Sequence, residues 1–117
     1  MTLTAALPPD PAAMRAAVQR VLARGAAPLS DEALEALRLQ LRGHIQLLGP
    51  EVERAASRLP RGDIRREVAL TVAGEARMRL RLGPGSTLYV RYAVVQKLAR
   101  SVSALCDHHE KLRDGTG

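Results

Sequence analysis

Three polar residues of this sequence have the chemistry of an acid–base site and interrupt apolar patterns at helical spacing. They are His44, Glu75 and Tyr92. A carboxylate desolvated among aliphatic side chains has a raised pKa unless a cation pairs with it, and a protonated imidazole can be that cation. A histidine–glutamate pair beside a phenol would therefore form a general acid–base set or a polar grip on a ligand held inside the protein.

Antiparallel helices would bring these three side chains to a common level, with Arg42 and Arg91 at the edge of the site. We therefore predict all five residues as ligand-binding candidates. His44, Glu75 and Tyr92 are also candidates for catalysis, although no catalytic role is assigned to them. The competing interpretation is that His44 and Glu75 only satisfy each other, because buried polar groups are usually paired for structural reasons.

A second polar cluster, Cys-Asp-His-His-Glu, spans residues 106–110. Cys106 has helical spacing to both His109 and Glu110, so two metal ligands would share one face. A zinc site needs three or four protein ligands, and the sequence offers no obvious partner pair. These residues are therefore weak metal candidates, and we predict neither a metal nor another cofactor. The alternative is a small buried cysteine near a helix C-terminus, whose negative end favours protonated imidazoles.

Four helices are predicted to position these residues. Each begins with a residue that can cap a helix N-terminus and continues with apolar residues three or four positions apart. Short connectors favour antiparallel neighbours, so the predicted fold is all-α, an up-down bundle of about four helices. It forms one domain over residues 10–114, preceded by a flexible arm over residues 1–9. The predicted caps are Asp10, Ser30, Asp63, and Ser86 or Thr87.

The large apolar residues of the third predicted helix fall on one stripe, which we expect to face the core. This pattern is the reason for expecting the Glu75 carboxylate inside the bundle, because Glu75 lies on the same stripe. The other members of the stripe are Ile64, Val68, Thr71, Val72, Met78 and Leu82.

Two other arrangements are compatible with parts of the sequence. Residues 76–82 alternate in polarity and residues 88–95 are rich in β-formers, so residues 76–95 also suit a hairpin turning at GPGS. The helical interpretation is preferred because a three-four stripe runs unbroken from Leu88 through Leu112. Residues 41–58 fit a helix-turn-helix with Gly49 in the turn, but the fit is poor.

Composition limits the class of protein. The chain has 117 residues, of which 46% are hydrophobic and 26% charged, as expected for a folded domain. No apolar run is long enough to span a membrane, no secretory signal is evident, and the single cysteine fits a reducing cytoplasm. We therefore predict a cytoplasmic protein. The formal charge of +6 is compatible with nucleic-acid binding, but a solvated arginine face is the preferred explanation.

The chain contains two distinctive stretches, LRGHIQLLGPEVERAASRLP (residues 41–60) and LARSVSALCDHHEKL (residues 98–112). They resemble a family of small actinobacterial proteins of unknown function that are associated with natural-product biosynthesis. The resemblance covers residues 30–112 and implies a small helical protein with no established activity. An aromatic residue often stands in that family at the position of His109, which implies a core-facing position. The matching residues are Arg42, Gly43, His44, Pro50, Glu51, Glu75, Arg77, Arg100, Cys106, Asp107, His108 and Glu110.

The sequence therefore favours a small helical module that binds a ligand or a partner protein, as an accessory protein in a biosynthetic pathway. A small enzyme that uses His44 and Glu75 is the second interpretation. A basic nucleic-acid-binding regulator is the third. The small core and the weak first helix also favour a homo-oligomer, and no membrane association is expected.

Overall fold

Four α-helices and their connectors make up residues 9–113, the part of the chain that the computed structural model describes. The helices are α1 (Pro11–Leu22), α2 (Asp31–Ser57), α3 (Ile64–Arg79) and α4 (Leu88–Arg113). The predicted all-α fold of about four helices is confirmed. The predicted N-terminal arm lies outside the described residues, apart from its last residue.

Short polar side chains begin the helices as the sequence predicts. In each case a side-chain oxygen accepts a hydrogen bond from a backbone amide of the first turn, at 2.9 to 3.2 Å. These bonds satisfy amide groups that have no partner within the helix itself. The caps are Asp10 for α1, Ser30 for α2, Asp63 for α3 and Thr87 for α4.

The second helix runs without a break through Gly49 and Pro50. A proline within a helix removes one backbone hydrogen bond and is tolerated where packing holds the helix on both sides. The flanking turns supply that packing, because Leu48 and Val52 are both fully buried. The helix-turn-helix arrangement of residues 41–58 is therefore wrong, since no turn forms at Gly49.

The long helices α2 and α4 pack along each other at the centre of the bundle. Both begin at the same end, where Arg91 of α4 forms an ion pair with Asp31 of α2 at 3.4 Å. The helices α1 and α3 each pack against this central pair and make no contact with each other. Successive helices therefore alternate in direction, as in an up-down bundle.

The predicted inner face of α3 is wrong for most of its residues. The residues of α3 that are completely buried are Ala69, Ala73 and Ala76. Of the predicted stripe, Ile64 is 72% exposed and Met78 is 65% exposed. The physical reason is the size of the alanine side chain, which lets the α3 backbone lie close to both α2 and α4. Ile64, Val68 and Met78 are consequently turned toward the solvent, whereas Val72 and Leu82 pack partly against the core.

The segment proposed as a hairpin alternative contains no strand. Residues 76–79 end α3, residues 80–87 form a connector, and residues 88–95 begin α4. Gly85 has φ +93°, a conformation that favours glycine. A Cβ atom at this position would lie 2.8 Å from Cγ1 of Val90. The connector therefore requires glycine for its backbone conformation and for space against the first turn of α4.

Candidate interaction surface

The structure separates the three side chains predicted to form an acid–base site. Glu75 is exposed on α3, in a groove that Lys97 of α4 also lines. Tyr92 lines a different groove, which the α1–α2 connector borders. His44 lines neither of these grooves. The expected meeting of the three groups is therefore wrong, because it rested on the incorrect inner face of α3. A ligand-binding role for any one of them stays a prediction.

The Tyr92 hydroxyl is occupied by the backbone of the α1–α2 connector. It accepts a hydrogen bond from the Leu29 amide at 2.6 Å and donates one to the Leu29 carbonyl at 3.3 Å. A single phenol thus satisfies both backbone groups of a residue that lies outside any helix. Its position supports a structural role, because these bonds attach the connector before α2 to the first turns of α4.

Replacing Tyr92 with phenylalanine is expected to lower the free energy of unfolding by about 1–2 kcal/mol, because both Leu29 backbone groups lose a partly buried partner. Urea denaturation measures this loss, and hydrogen exchange should show faster exchange of the Leu29 amide. The matched control is Tyr89→Phe, since the Tyr89 side chain is 83% exposed. Equal stability of the two variants would contradict the structural role of the hydroxyl.

His44 lies half-buried on α2, on the side that faces the start of α1. Its Nε2 atom is buried and makes no hydrogen bond within residues 9–113. Burial lowers the pKa of His44, and the nearby Asp10 carboxylate partly opposes this shift. The imidazole is thus a neutral group in a poorly hydrated position, with no glutamate paired to it.

The chain contains three histidines, and burial is the main cause that lowers the pKa of each. An unfolded histidine has a pKa of about 6.5, so below that pH the unfolded chain binds more protons than the folded protein. Stability is therefore expected to fall as the pH decreases below about 6.5 and to level off once the folded histidines are also protonated. Thermal melting at about pH 7.5 and about pH 5 measures this effect.

The His44→Gln variant should show a smaller loss of stability over the same pH interval, because one of the three shifted groups is absent. The carboxylates with lowered pKa, such as Asp63, titrate at lower pH and affect stability only there. A melting temperature that rises on acidification to about pH 5 would show that the histidines are not stabilised in the neutral form.

The two arginines predicted at the edge of the site donate hydrogen bonds to backbone carbonyls at helix ends. Arg42 of α2 donates a hydrogen bond to the Leu80 carbonyl at the end of α3. Arg91 donates to the Asp31 carbonyl at 3.2 Å. Their guanidinium groups therefore join neighbouring elements.

The second predicted cluster is built around a buried thiol and an ion pair. Cys106 is completely buried, and burial raises the pKa of its thiol, which disfavours the thiolate that metals bind. Asp107 and Glu110 both accept hydrogen bonds from Arg15 of α1, at 2.9 and 2.6 Å. Within residues 9–113, no three His, Cys, Asp or Glu side chains are grouped in a way that could hold a metal ion. His109 is half-buried, and its Nδ1 has no hydrogen-bond partner in the described part of the chain.

Two depressions with no lining residue in common lie between α3 and α4 on the outside of the bundle, and together they form what we call the α3–α4 groove. One has a volume of about 280 Å³ and the other a volume of about 390 Å³. We define the α3–α4 groove by the residues that line these two depressions. They are Ile64, Arg65, Val68, Glu75, Met78, Arg79 and Leu82 on the α3 side, and Lys97, His108, Lys111 and Leu112 on α4.

The two walls of the α3–α4 groove differ in chemistry. The α3 wall carries the exposed aliphatic stripe, and the α4 wall carries Lys97, His108 and Lys111. Arg79 crosses between the walls, donating hydrogen bonds to the Lys97 carbonyl at 2.9 Å and to the Ser101 hydroxyl at 3.0 Å. These hydrogen bonds join α3 to α4 at one of the two depressions.

The sequence contained a signal for this surface that the hydropathy pattern obscured. Ala69, Ala73 and Ala76 lie four and three positions apart, which is the spacing of one helix face. Either an alanine face or an aliphatic face of a helix can pack in the core. Which of the two is buried depends on how closely the neighbouring helices approach. The aliphatic residues Ile64, Val68 and Met78 therefore lie on the opposite side of α3 from the one that hydropathy predicts.

None of the helices within residues 9–113 is both long and apolar enough to cross a membrane. No curated protein matches the sequence, and no solved structure matches it either. A model of a family of unknown function, DUF6415, matches residues 12–114. This match spans all four helices, and the chain therefore belongs to the DUF6415 family, whose function is unknown.

Proposed function

We propose that this chain is a non-enzymatic protein-interaction module that binds an apolar segment of a partner protein in the α3–α4 groove. The observation that carries the proposal is the outward position of the aliphatic stripe of α3. Ile64, Val68 and Met78 are 72%, 42% and 65% exposed, respectively. Ile64 and Val68 line one depression between α3 and α4, and Met78 lines the other. Exposed apolar residues that group around depressions in this way mark a binding site more often than scattered ones do.

Burial of these side chains would supply substantial binding energy. Fully burying one large aliphatic side chain contributes about 1.5–3 kcal/mol. The losses of translational freedom and of side-chain freedom on association offset part of that gain. An interface in which a partner covers the stripe is thus energetically reasonable, and its strength depends on the few side chains that enter the groove most deeply.

The remaining polar chemistry gives less support to an enzyme. His44, Glu75 and Tyr92 lie apart, and the Tyr92 hydroxyl is bonded to backbone. The depressions of the α3–α4 groove are open and lack a convergent set of polar groups. A binding role uses the exposed apolar surface, which an acid–base mechanism would leave unexplained.

A nucleic-acid-binding role has less support for a related reason. Many arginines are engaged with acidic side chains of the same chain, which reduces the positive potential available to phosphates. The arginines in ion pairs are Arg15, Arg38, Arg54, Arg65, Arg66, Arg77 and Arg91. The absence of a turn at Gly49 also removes the helix-turn-helix geometry from α2.

An accessory role in natural-product biosynthesis is the biological setting we propose for this module. Its support is the resemblance of residues 41–60 and 98–112 to a family associated with such pathways. A module without a catalytic site could act there by holding a biosynthetic enzyme or a regulator. Self-association through an apolar face is the other form that the interaction could take.

The test is a photo-crosslinking amino acid at position 75, within the α3–α4 groove, in cells that produce the protein. A control amino acid at position 40 reports nonspecific capture, since Gln40 is exposed on α2. The protein captured only at position 75 is identified by mass spectrometry, purified and titrated against the chain by calorimetry.

The double variant Val68→Glu/Met78→Glu is expected to bind this partner at least about tenfold more weakly, because it places charges in an apolar contact. The matched control Leu39→Glu/Leu47→Glu alters two exposed leucines of α2 and should keep the wild-type affinity. Circular dichroism confirms that both variants are folded. Equal affinity of the groove variant and the wild type would overturn the proposed function.

A further inference from the structure

We infer that the partner segment is an acidic amphipathic helix that places aliphatic side chains on the α3 wall of the groove and carboxylates along the α4 wall. This inference rests on the proposed function and identifies the chemistry of the partner. Its basis is the juxtaposition of exposed aliphatic residues on the α3 wall with Lys97 and Lys111 on the α4 wall.

The charge of the groove is strongly one-sided. Among the described residues, its lining contains Arg79, Lys97 and Lys111, together with Arg65 that is paired with Asp63, against a single acidic residue, Glu75. Lys97 and Lys111 lie fourteen positions apart on α4, close to four helical turns, so they project along one line beside the groove. Carboxylates on that side of a ligand would be attracted to the lysines, which strengthens binding and raises the association rate. A cationic ligand would be repelled.

The shape of the groove is suited to a helix. The walls are two packed helices, and the aliphatic residues on the α3 side form two pairs four positions apart, Ile64 with Val68 and Met78 with Leu82. A bound amphipathic helix presents its own apolar anchors three, four or seven positions apart, which suits a groove lined in this way. At 1.5 Å per residue, the 16 residues of α3 extend over about 24 Å. A bound helix of about 16 residues would therefore match the length of the α3 wall.

A second copy of the chain fits this groove less well. The formal charge is +6, and the other exposed aliphatic residues of the long helices include Leu39, which lies between Arg38 and Arg42 along α2. Docking that face would bring arginines toward Lys97 and Lys111. Like charges in an interface are unfavourable, so the charge pattern favours an acidic partner.

The experiment uses three designed, fluorescently labelled peptides of about 16 residues with the same leucine stripe. Their flanking positions carry glutamate, glutamine or lysine. Fluorescence anisotropy should show that the glutamate peptide binds at least about tenfold more tightly than the glutamine peptide, and that the lysine peptide binds most weakly. Raising the salt concentration from about 0.05 M to about 0.3 M should weaken binding of the glutamate peptide and reduce this preference.

Charge reversal on the protein provides the matched control. The Lys97→Glu/Lys111→Glu variant should lose the preference for the glutamate peptide and favour the lysine peptide. The Arg20→Glu/Arg24→Glu variant changes the net charge equally at exposed sites near the end of α1 and should keep the original order. If both double variants change the preference equally, net charge is responsible and the inference about the α4 wall is wrong.

The outcomes separate this inference from the proposed function. If glutamate and glutamine peptides bind equally, and Val68→Glu/Met78→Glu abolishes both, the acidic partner is wrong while the groove remains an interaction site. If no peptide binds, or if that groove variant has no effect, the acidic-helix inference is overturned. The crosslinking experiment then decides separately whether the groove binds a protein at all. A dimer detected by light scattering and abolished by the groove variant would identify a second copy as the occupant and overturn the inference.

Discussion

Replacing Leu41 with alanine is expected to lower the free energy of unfolding by about 2–5 kcal/mol. Leu41 is completely buried on the face of α2 that packs into the common core. Its removal costs the transfer energy of the deleted atoms and leaves a cavity that the long, well-packed helices cannot easily close. Since domains of this size are stable by only about 5–15 kcal/mol, the loss is a large fraction of the total.

Urea denaturation of the wild type and the variant measures this difference directly. The matched control is Leu39→Ala, which makes the same chemical change two positions away, where the side chain is 53% exposed. We expect the control to change stability by about 0.5 kcal/mol or less. Similar losses for the two variants would show that α2 does not present the described face to the core.

Enlarging Ala73 to leucine is expected to lower the free energy of unfolding by about 1–3 kcal/mol. Ala73 is completely buried in α3, which packs closely against both α2 and α4. The larger side chain can be accommodated only if α3 moves outward or neighbouring side chains leave their preferred rotamers. Truncation of Val68 to alanine should by contrast cost about 0.5 kcal/mol or less, because Val68 faces the solvent.

This pair of variants decides which face of α3 is buried. A reading of the sequence by hydropathy alone expects the opposite order, with a large loss for Val68→Ala and little change for Ala73→Leu. Thermal melting and urea denaturation of both variants distinguish the two orientations. A larger loss of unfolding free energy for Val68→Ala than for Ala73→Leu would show that the aliphatic stripe is buried in the core. The α3–α4 groove would then not be a binding surface.

The orientation of α3 also explains why the predicted acid–base site does not form. Glu75 lies on the aliphatic stripe, so its carboxylate is carried outward with that stripe and becomes part of the groove. His44 is left on the side of α2 that faces α1, with Asp10 as the charged group that influences its pKa. The misassigned face of α3 accounts for the position of Glu75, whereas Tyr92 is kept from the expected cluster by its bonds to the Leu29 backbone.

Local sequence determined the helical architecture of this protein. The caps at Ser30 and Asp63, and the apolar stripes of α2 and α4, act through neighbouring residues of the same segment. Such interactions depend on spacing along the chain, which can be read directly from the sequence. The connector lengths then leave alternating helix directions as the simplest arrangement.

Only the tertiary structure decided which face of α3 is buried and where the polar side chains find partners. Both α3 faces have helical spacing and apolar character, so periodicity does not distinguish them. The choice depends on how closely three helices pack, and Ala69, Ala73 and Ala76 permit the closest approach. The bond from Tyr92 to Leu29 likewise joins residues 63 positions apart, which no local pattern in the sequence encodes.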